Sequence, residues 1–210
     1  MDTAAQQLDA LRATLEDFRR LLPAVEKAGE TLAACLAAGG KIMAGGNGGS
    51  ACDAAHLAEE LVGRFDQNRR SLAAVCLNGD AALLTCIAND FGYDAVFARQ
   101  VEGLGRPGDV LVLFSTSGNS ANLVAALKAA RQAGVTTLSI LGKTGGKCLG
   151  LADQEIIVPS HTTARVQEVH TFILHVWLGL IEQRLGLVKQ KPTSLGPPIG
   201  PAEGPEPGLH

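Results

Sequence analysis

The chain has 210 residues, 46% of them hydrophobic and 19% charged, with a formal net charge of −3. That length supports one domain with a substantial core, and the apolar content excludes disorder over most of it. The weak charge and an aromatic content of 4% argue against nucleic acid or an acidic membrane as a partner.

The opening MDTAAQQLDALRATLEDFRRLL has no uncharged apolar core of the kind a signal peptide needs. No apolar run approaches the ~18 residues of a membrane span. A cytoplasmic location is therefore expected. The five cysteines (Cys35, Cys52, Cys76, Cys86 and Cys148) are odd in number and include no CxxC pair, so they read as reduced thiols.

Residues 3–38 read as helix. Leu8, Leu11, Leu15, Phe18, Leu22 and Val25 recur at spacings of three and four, which makes an apolar stripe. Pro23 predicts a kink or a break within it. Such a helix ahead of an α/β core packs either on its own domain or on another subunit. From residue 40, short apolar runs alternate with helical patterns. The runs are Lys41–Ala44, Leu72–Leu77, Val110–Ser115, Thr136–Leu141 and Glu155–Val158. The helical patterns fall at about 50–64, 79–89, 92–104, 119–133 and 163–185. Unbroken apolar strands alternating with helices predict a parallel sheet covered on both faces. Ligands of such sheets sit beyond the carboxyl ends of the strands, where strand order reverses. Residues 1–186 read as a single domain. Residues 187–210 hold six of the nine prolines and read as a disordered tail.

The loops after the strands carry the chemistry. Val110–Phe114 runs into Ser115-Thr116-Ser117-Gly118-Asn119-Ser120, and a helical pattern follows. Hydroxyls and backbone N–H groups gathered at a helix start favour an anion such as phosphate. An ordinary N-cap would need only one serine. After the first run comes Gly45-Gly46-Asn47-Gly48-Gly49-Ser50, whose glycines allow tight turns and exposed amides, or simply a flexible turn. No Lys-Ser/Thr closes that loop, so it is not a Walker A motif. In the helix after it, His56 and Glu60 are four apart and share a face. The pair suits two ligands of one metal, or an acid/base pair, though such pairs also occur on solvated faces. The last helix carries Gln167, Glu168, His170 and His175, the last within the apolar stretch Phe172–Leu178. A histidine there reads either as a core residue bonded to a partner or as a group pointed into a site. Asn89 and Asp90 are turn residues that can also bond sugar hydroxyls.

Taken together, GNGGSACDAAHLAEELVGRF, ANDFGYD, LFSTSGNS, LGKTGGK and RVQEVHTFILH resemble the sugar isomerase (SIS) superfamily, and within it the phosphoheptose isomerase family. The resemblance covers nearly everything before residue 187. It implies a three-layer αβα sandwich of the flavodoxin-like kind, with long N- and C-terminal helices packing between subunits of a homotetramer. It implies an aldose–ketose isomerisation of sedoheptulose 7-phosphate to D-glycero-D-manno-heptose 7-phosphate. Ser115, Thr116, Ser117 and Ser120 match the family's phosphate-binding residues. Asn47, Gly48, Gly49, Ser50, Asn89 and Asp90 match its other substrate contacts, joined by Glu60 and Gln167. His56, Glu60, Gln167 and His175 match its zinc ligands (one Zn2+ per subunit), and Glu60 and His175 its acid/base residues. Ala51 stands where many relatives have His, outside the catalytic set. A non-catalytic superfamily member that binds the replication initiator or another protein is the alternative. A sugar-phosphate sensor of a regulator would need a DNA-binding segment, and no basic helix-turn-helix precedes this core.

Overall fold

In a computed structural model, residues 3–188 are described. The expected tail lies almost wholly outside them.

The long N-terminal helical pattern is two helices, α1 (Ala4–Phe18) and α2 (Leu22–Ala37), joined by a 3-10 turn over Arg19–Leu21. Pro23 stands in the first turn of α2, where a missing N–H costs no hydrogen bond. Thr3 and Gln6 close a capping box at the start of α1. The core then alternates as β1 (Ile42–Gly46), α3 (Gly49–Val62), β2 (Ala74–Cys76), α4 (Ala81–Phe91), α5 (Ala98–Leu104), β3 (Val110–Ser115), α6 (Ala121–Gln132), β4 (Thr136–Gly142), β5 (Gln154–Val158) and α7 (Thr163–Arg184).

All five strands are parallel, in the order β2-β1-β3-β4-β5. The order reverses between β1 and β3, so the loops after these two strands flank the switch point. Side chains alternate across the sheet. Ile42, Ala44, Val110, Val112, Phe114, Leu138 and Ile140 face a core built from α2, α3 and α7. Met43, Leu111, Leu113 and Leu141 face a second core built from α4, α5 and α6. Each fully buried Leu, Ile or Val on these faces contributes about 1.5–3 kcal/mol of transfer free energy. The three layers follow from this two-sided burial.

Two elements differ from the sequence expectation. The run Leu72–Leu77 pairs only over Ala74–Cys76, because β2 is an edge strand bonded to β1 alone. The pattern at 92–104 is broken. Gly92, at φ +84°, ends α4, and a 3-10 turn over Tyr93–Ala95 precedes α5.

Helix α7 is tied into the domain along its length. The fully buried Trp177 donates its indole N–H to the Val25 carbonyl of α2 at 2.9 Å. Arg165, at its first turn, donates to the Gln7 carbonyl of α1. Leu187 packs on the first core and donates its N–H to the Glu182 carbonyl, so the packed body extends to that residue. The stripe on α1 is largely open. Leu8 is 51% exposed and Leu15 38%, while Phe18 is buried edge-on against Phe172 of α7. Among the described residues no helix is long and apolar enough to cross a membrane, and all five cysteines are free.

Candidate active site

Three loops converge at the carboxyl edge of the sheet. The one after β3 is shaped from within and braced from outside. The Ser115 hydroxyl is buried and accepts the Gly118 N–H at 3.0 Å, so it builds the turn. Ser117 accepts the Asn119 N–H at 3.3 Å. Thr116, Ser117 and Ser120 are half-buried. Ser120 starts α6 without turning its hydroxyl onto the helix's own N–H groups, unlike Asp80, which caps α4. An ordinary N-cap does not account for this serine.

The brace is the segment after β4. Cys148 donates its N–H to the Gly118 carbonyl at 2.9 Å, and Lys147 donates its N–H to the Asn119 side chain at 3.2 Å. The contact is too close for side chains. A Cβ on Gly118 would lie 1.9 Å from the Gly145 carbonyl oxygen, and one on Gly146 would lie 2.4 Å from that of Ser117. This explains Gly118 and Gly146, the latter in the 141–147 motif, to which sequence reasoning attached no role.

The glycine loop after β1 is held at both ends. The Asn78 side chain accepts the Gly46 N–H and donates to its carbonyl, at 3.2 and 2.9 Å. Asn47 exchanges two 2.9 Å hydrogen bonds with Asn122 of α6 and accepts a third, also 2.9 Å, from the Tyr93 hydroxyl. Gly48, at φ +58°, starts α3 with no side-chain cap, and Gly48 and Gly49 are exposed while Ser50 is buried. Gln167 of α7 occupies the space where Gly49 would carry a Cβ, 2.2 Å from its Nε2. Asn89 and Asp90 lie exposed at the end of α4, bonded to each other at 2.7 Å.

Two turns along α3, His56 Nε2 lies 3.6 Å from Glu60 Oε1. The His175 ring of α7 meets His56 edge-on at 5.0 Å between centroids, and Phe65 stacks on its other side at 5.7 Å. His56, Glu59 and Glu60 offer ligand atoms within 4.8 Å of one another. Imidazole nitrogens and carboxylate oxygens are suitable zinc ligands, so the donor set fits a divalent metal. Glu59 was not foreseen; its neighbour Glu60 drew the reading because of its i,i+4 spacing. The Gln167 side chain lies against Gly49, in the opening turn of α3.

His175 is exposed, although its sequence neighbours are apolar. Partial burial and the adjacent His56 hold its pKa below the ordinary imidazole range, against an opposing pull from Glu60. The core histidine is instead His170, fully buried, with Nε2 3.5 Å from the Leu141 carbonyl and its pKa pushed down to about 4. Its Nδ1 lies 3.9 Å from Asp53 of α3, whose pKa burial pushes up to about 6 and which accepts the Thr171 hydroxyl at 3.1 Å. With a neutral imidazole above about pH 4, that approach is not an ion pair.

Behind the site, Arg69 and Glu182 form a buried pair at 2.8 Å, with side chains 1% and 2% exposed. Arg69 also donates to the carbonyls of Glu60 and Leu61, in the last turn of α3, at 2.6 and 2.8 Å. Glu182 accepts the N–H groups of Phe65 and Asp66. These two residues thereby hold Glu60's helix end and the ring that covers His175.

A five-stranded parallel sheet with a hydroxyl-rich loop at its switch point, and a His/Glu group between α3 and α7, defines an α/β domain of the sugar-isomerase kind. The sequence profile of the SIS domain family matches residues 6–142. The phosphoheptose isomerase of Edwardsiella ictaluri is 44% identical over 191 residues, covering 89% of this chain and 98% of its own. That of Roseiflexus sp. is 44% identical over 185 residues, covering 88% and 92%. The solved phosphoheptose isomerase from Neisseria gonorrhoeae superposes with a TM-score of 0.81 at 40% identity, covering 85% and 96%. The chain belongs to the phosphoheptose isomerase family.

Proposed function

We propose that the chain isomerises sedoheptulose 7-phosphate to D-glycero-D-manno-heptose 7-phosphate through an enediol. The observation that carries the reading is the meeting of His56 and Glu60 from α3 with His175 from α7. Thr116, Ser117 and Ser120, with the first N–H groups of α6, bind the phosphate, and Ser115 shapes their loop. Asn47, Gly48, Gly49, Ser50, Asn89, Asp90 and Gln167 line the path of the sugar chain.

Glu60 takes the C1 proton of the ketose and returns it to C2. His175 gives a proton to O2 and accepts one from O1, so the atoms balance across the enediol. His56, Glu60, Gln167 and His175 are the residues we assign to a zinc ion, one per subunit, with Glu59 within reach of His56 and Glu60. When bound, zinc supplies a Lewis acid that polarises the carbonyl and stabilises the enediolate. The open apolar stripe of α1, beside the 40% exposed Phe172, supports packing on another subunit in a homotetramer with sites between subunits. We place the enzyme in the cytoplasm.

The test is product analysis with sedoheptulose 7-phosphate, with and without a chelator, on the native chain and on Glu60→Gln. The variant is expected to fold normally and to lose at least ~10²-fold in turnover. Near-native turnover in it would remove Glu60 from the mechanism. A native chain that turns over no ketose phosphate yet binds a protein tightly would favour the non-catalytic alternative.

A further inference from the structure

The hydrogen bonds around Asn47 go beyond a loop contact. A side-chain amide has two lone pairs on oxygen and two N–H groups. Both lone pairs of Asn47 are engaged, by the Asn122 amide and the Tyr93 hydroxyl, and one N–H is given to Asn122, each at 2.9 Å. One N–H remains uncommitted among the described residues, so Asn47 can offer a ligand a donor and nothing else.

The three partners come from three different segments. Asn47 lies between β1 and α3, Asn122 is in the first turn of α6 two residues past Ser120, and Tyr93 stands three residues past Asp90. Asn122 is 2% exposed and fixed by packing, whereas Tyr93 is 60% exposed and reaches Asn47 from the rim. The bonds span the β1–β3 switch point and set the separation of the glycine loop from the phosphate loop.

We propose that Asn122 and Tyr93 are positioning residues that lock the Asn47 amide so that its free N–H donates to an oxygen of the sugar chain of a phosphorylated ketose. This rests on the phosphosugar reading above. It assigns the side chains of these two residues a part in recognising the chain and none in binding the phosphate.

The experiment measures Kd by calorimetry for sedoheptulose 7-phosphate and for inorganic phosphate, on the native chain, Tyr93→Phe, Asn122→Ala, Asn47→Ala and the Tyr93→Phe/Asn47→Ala double variant. Binding needs no turnover, so an inactive native protein would defeat the proposed reaction without touching this measurement. Tyr93→Phe, whose ring is exposed and whose fold is not at stake, should bind the sugar phosphate roughly 3–10-fold more weakly, as for one neutral hydrogen bond. Asn122→Ala should lose at least ~10-fold, with inorganic phosphate within about twofold of native in both. Because Tyr93 acts through Asn47, the double variant should bind no more weakly than Asn47→Ala alone. Three results would overturn the proposal: native affinity in Tyr93→Phe, a parallel loss for inorganic phosphate, or a full additional loss in the double variant. If Asn122→Ala does not fold, Tyr93→Phe and the cycle decide.

Discussion

Glu182→Ala should damage both the stability and the site of this protein, and the structure sets the size of the effect. The carboxylate receives Arg69 Nε at 2.8 Å and the N–H groups of Phe65 and Asp66 at 3.2 and 3.3 Å. Removing it leaves a guanidinium charge in a site where its side chain is 1% exposed, and two N–H groups without their acceptor. Breaking a buried pair from one side costs about 3–5 kcal/mol. Arg69 keeps its bonds to the carbonyls of Glu60, Leu61, Gly63 and Arg70, which partly compensate its charge. The lower half of that range therefore applies, about 3–4 kcal/mol. For a domain of this size each kcal/mol is worth about 2–4 °C, so Tm should fall by roughly 6–16 °C. Circular dichroism melts provide the measurement, and turnover well below the melt, per folded molecule, provides the second readout. That turnover should also fall, because Phe65 loses its anchor and its ring is the one stacked on His175. Glu182→Gln keeps an oxygen acceptor and should lose less than Glu182→Ala. An unchanged Tm in Glu182→Ala would refute the account of this pair.

Gly146→Ala places a Cβ 2.4 Å from the Ser117 carbonyl at φ +55°, so the hydroxyl loop must shift. KM for the sugar phosphate and Ki for inorganic phosphate should rise together by ~10-fold or more, about 1.4 kcal/mol, with kcat little changed; steady-state kinetics separates the two. A third prediction concerns pH. Asp53 is raised to about 6, so its folded form holds a proton that the unfolded chain has released, and it makes stability fall between about pH 4 and 6. His170 is lowered to about 4, so the unfolded chain holds the extra proton, and it makes stability rise between about pH 4 and 6.5. The two slopes oppose each other. Asp53→Asn removes one of them, so urea melts of that variant should show stability climbing more steeply with pH over this window than in the native chain. Parallel profiles would count against the assignment.

The fold was legible because its signals are local. Apolar runs such as Val110–Phe114 are buried on both faces, as a parallel sheet requires, and Pro23 marked the break between α1 and α2. The turn over Tyr93–Ala95 was missed because one glycine conformation, not a change of composition, separates α4 from α5. On α7 the local apolar setting drew attention to His175 as the residue in need of a partner. Helical phase instead puts His170 on the core face with Val166, Val169 and Ile173, and turns His175 towards His56. The site's anchors were not legible at all. Asn47 and Asn122 are 75 residues apart, and Arg69 and Glu182 are 113 apart. Asn122, Arg69 and Glu182 look like ordinary polar surface residues until the fold brings their partners alongside.

Helix α6 begins at the cleft with no side-chain hydrogen bond from Ser120 to its first N–H groups. A phosphate seated on α6 as proposed supplies what Ser120 withholds, and so finishes the protein as well as occupying it. Saturation a hundredfold above Kd adds about 2.7 kcal/mol to the folded state. The lifetime of such an enzyme against heat and proteases is then set in part by the metabolite it consumes: a well-fed pathway preserves its own catalyst, and a starved one lets it decay.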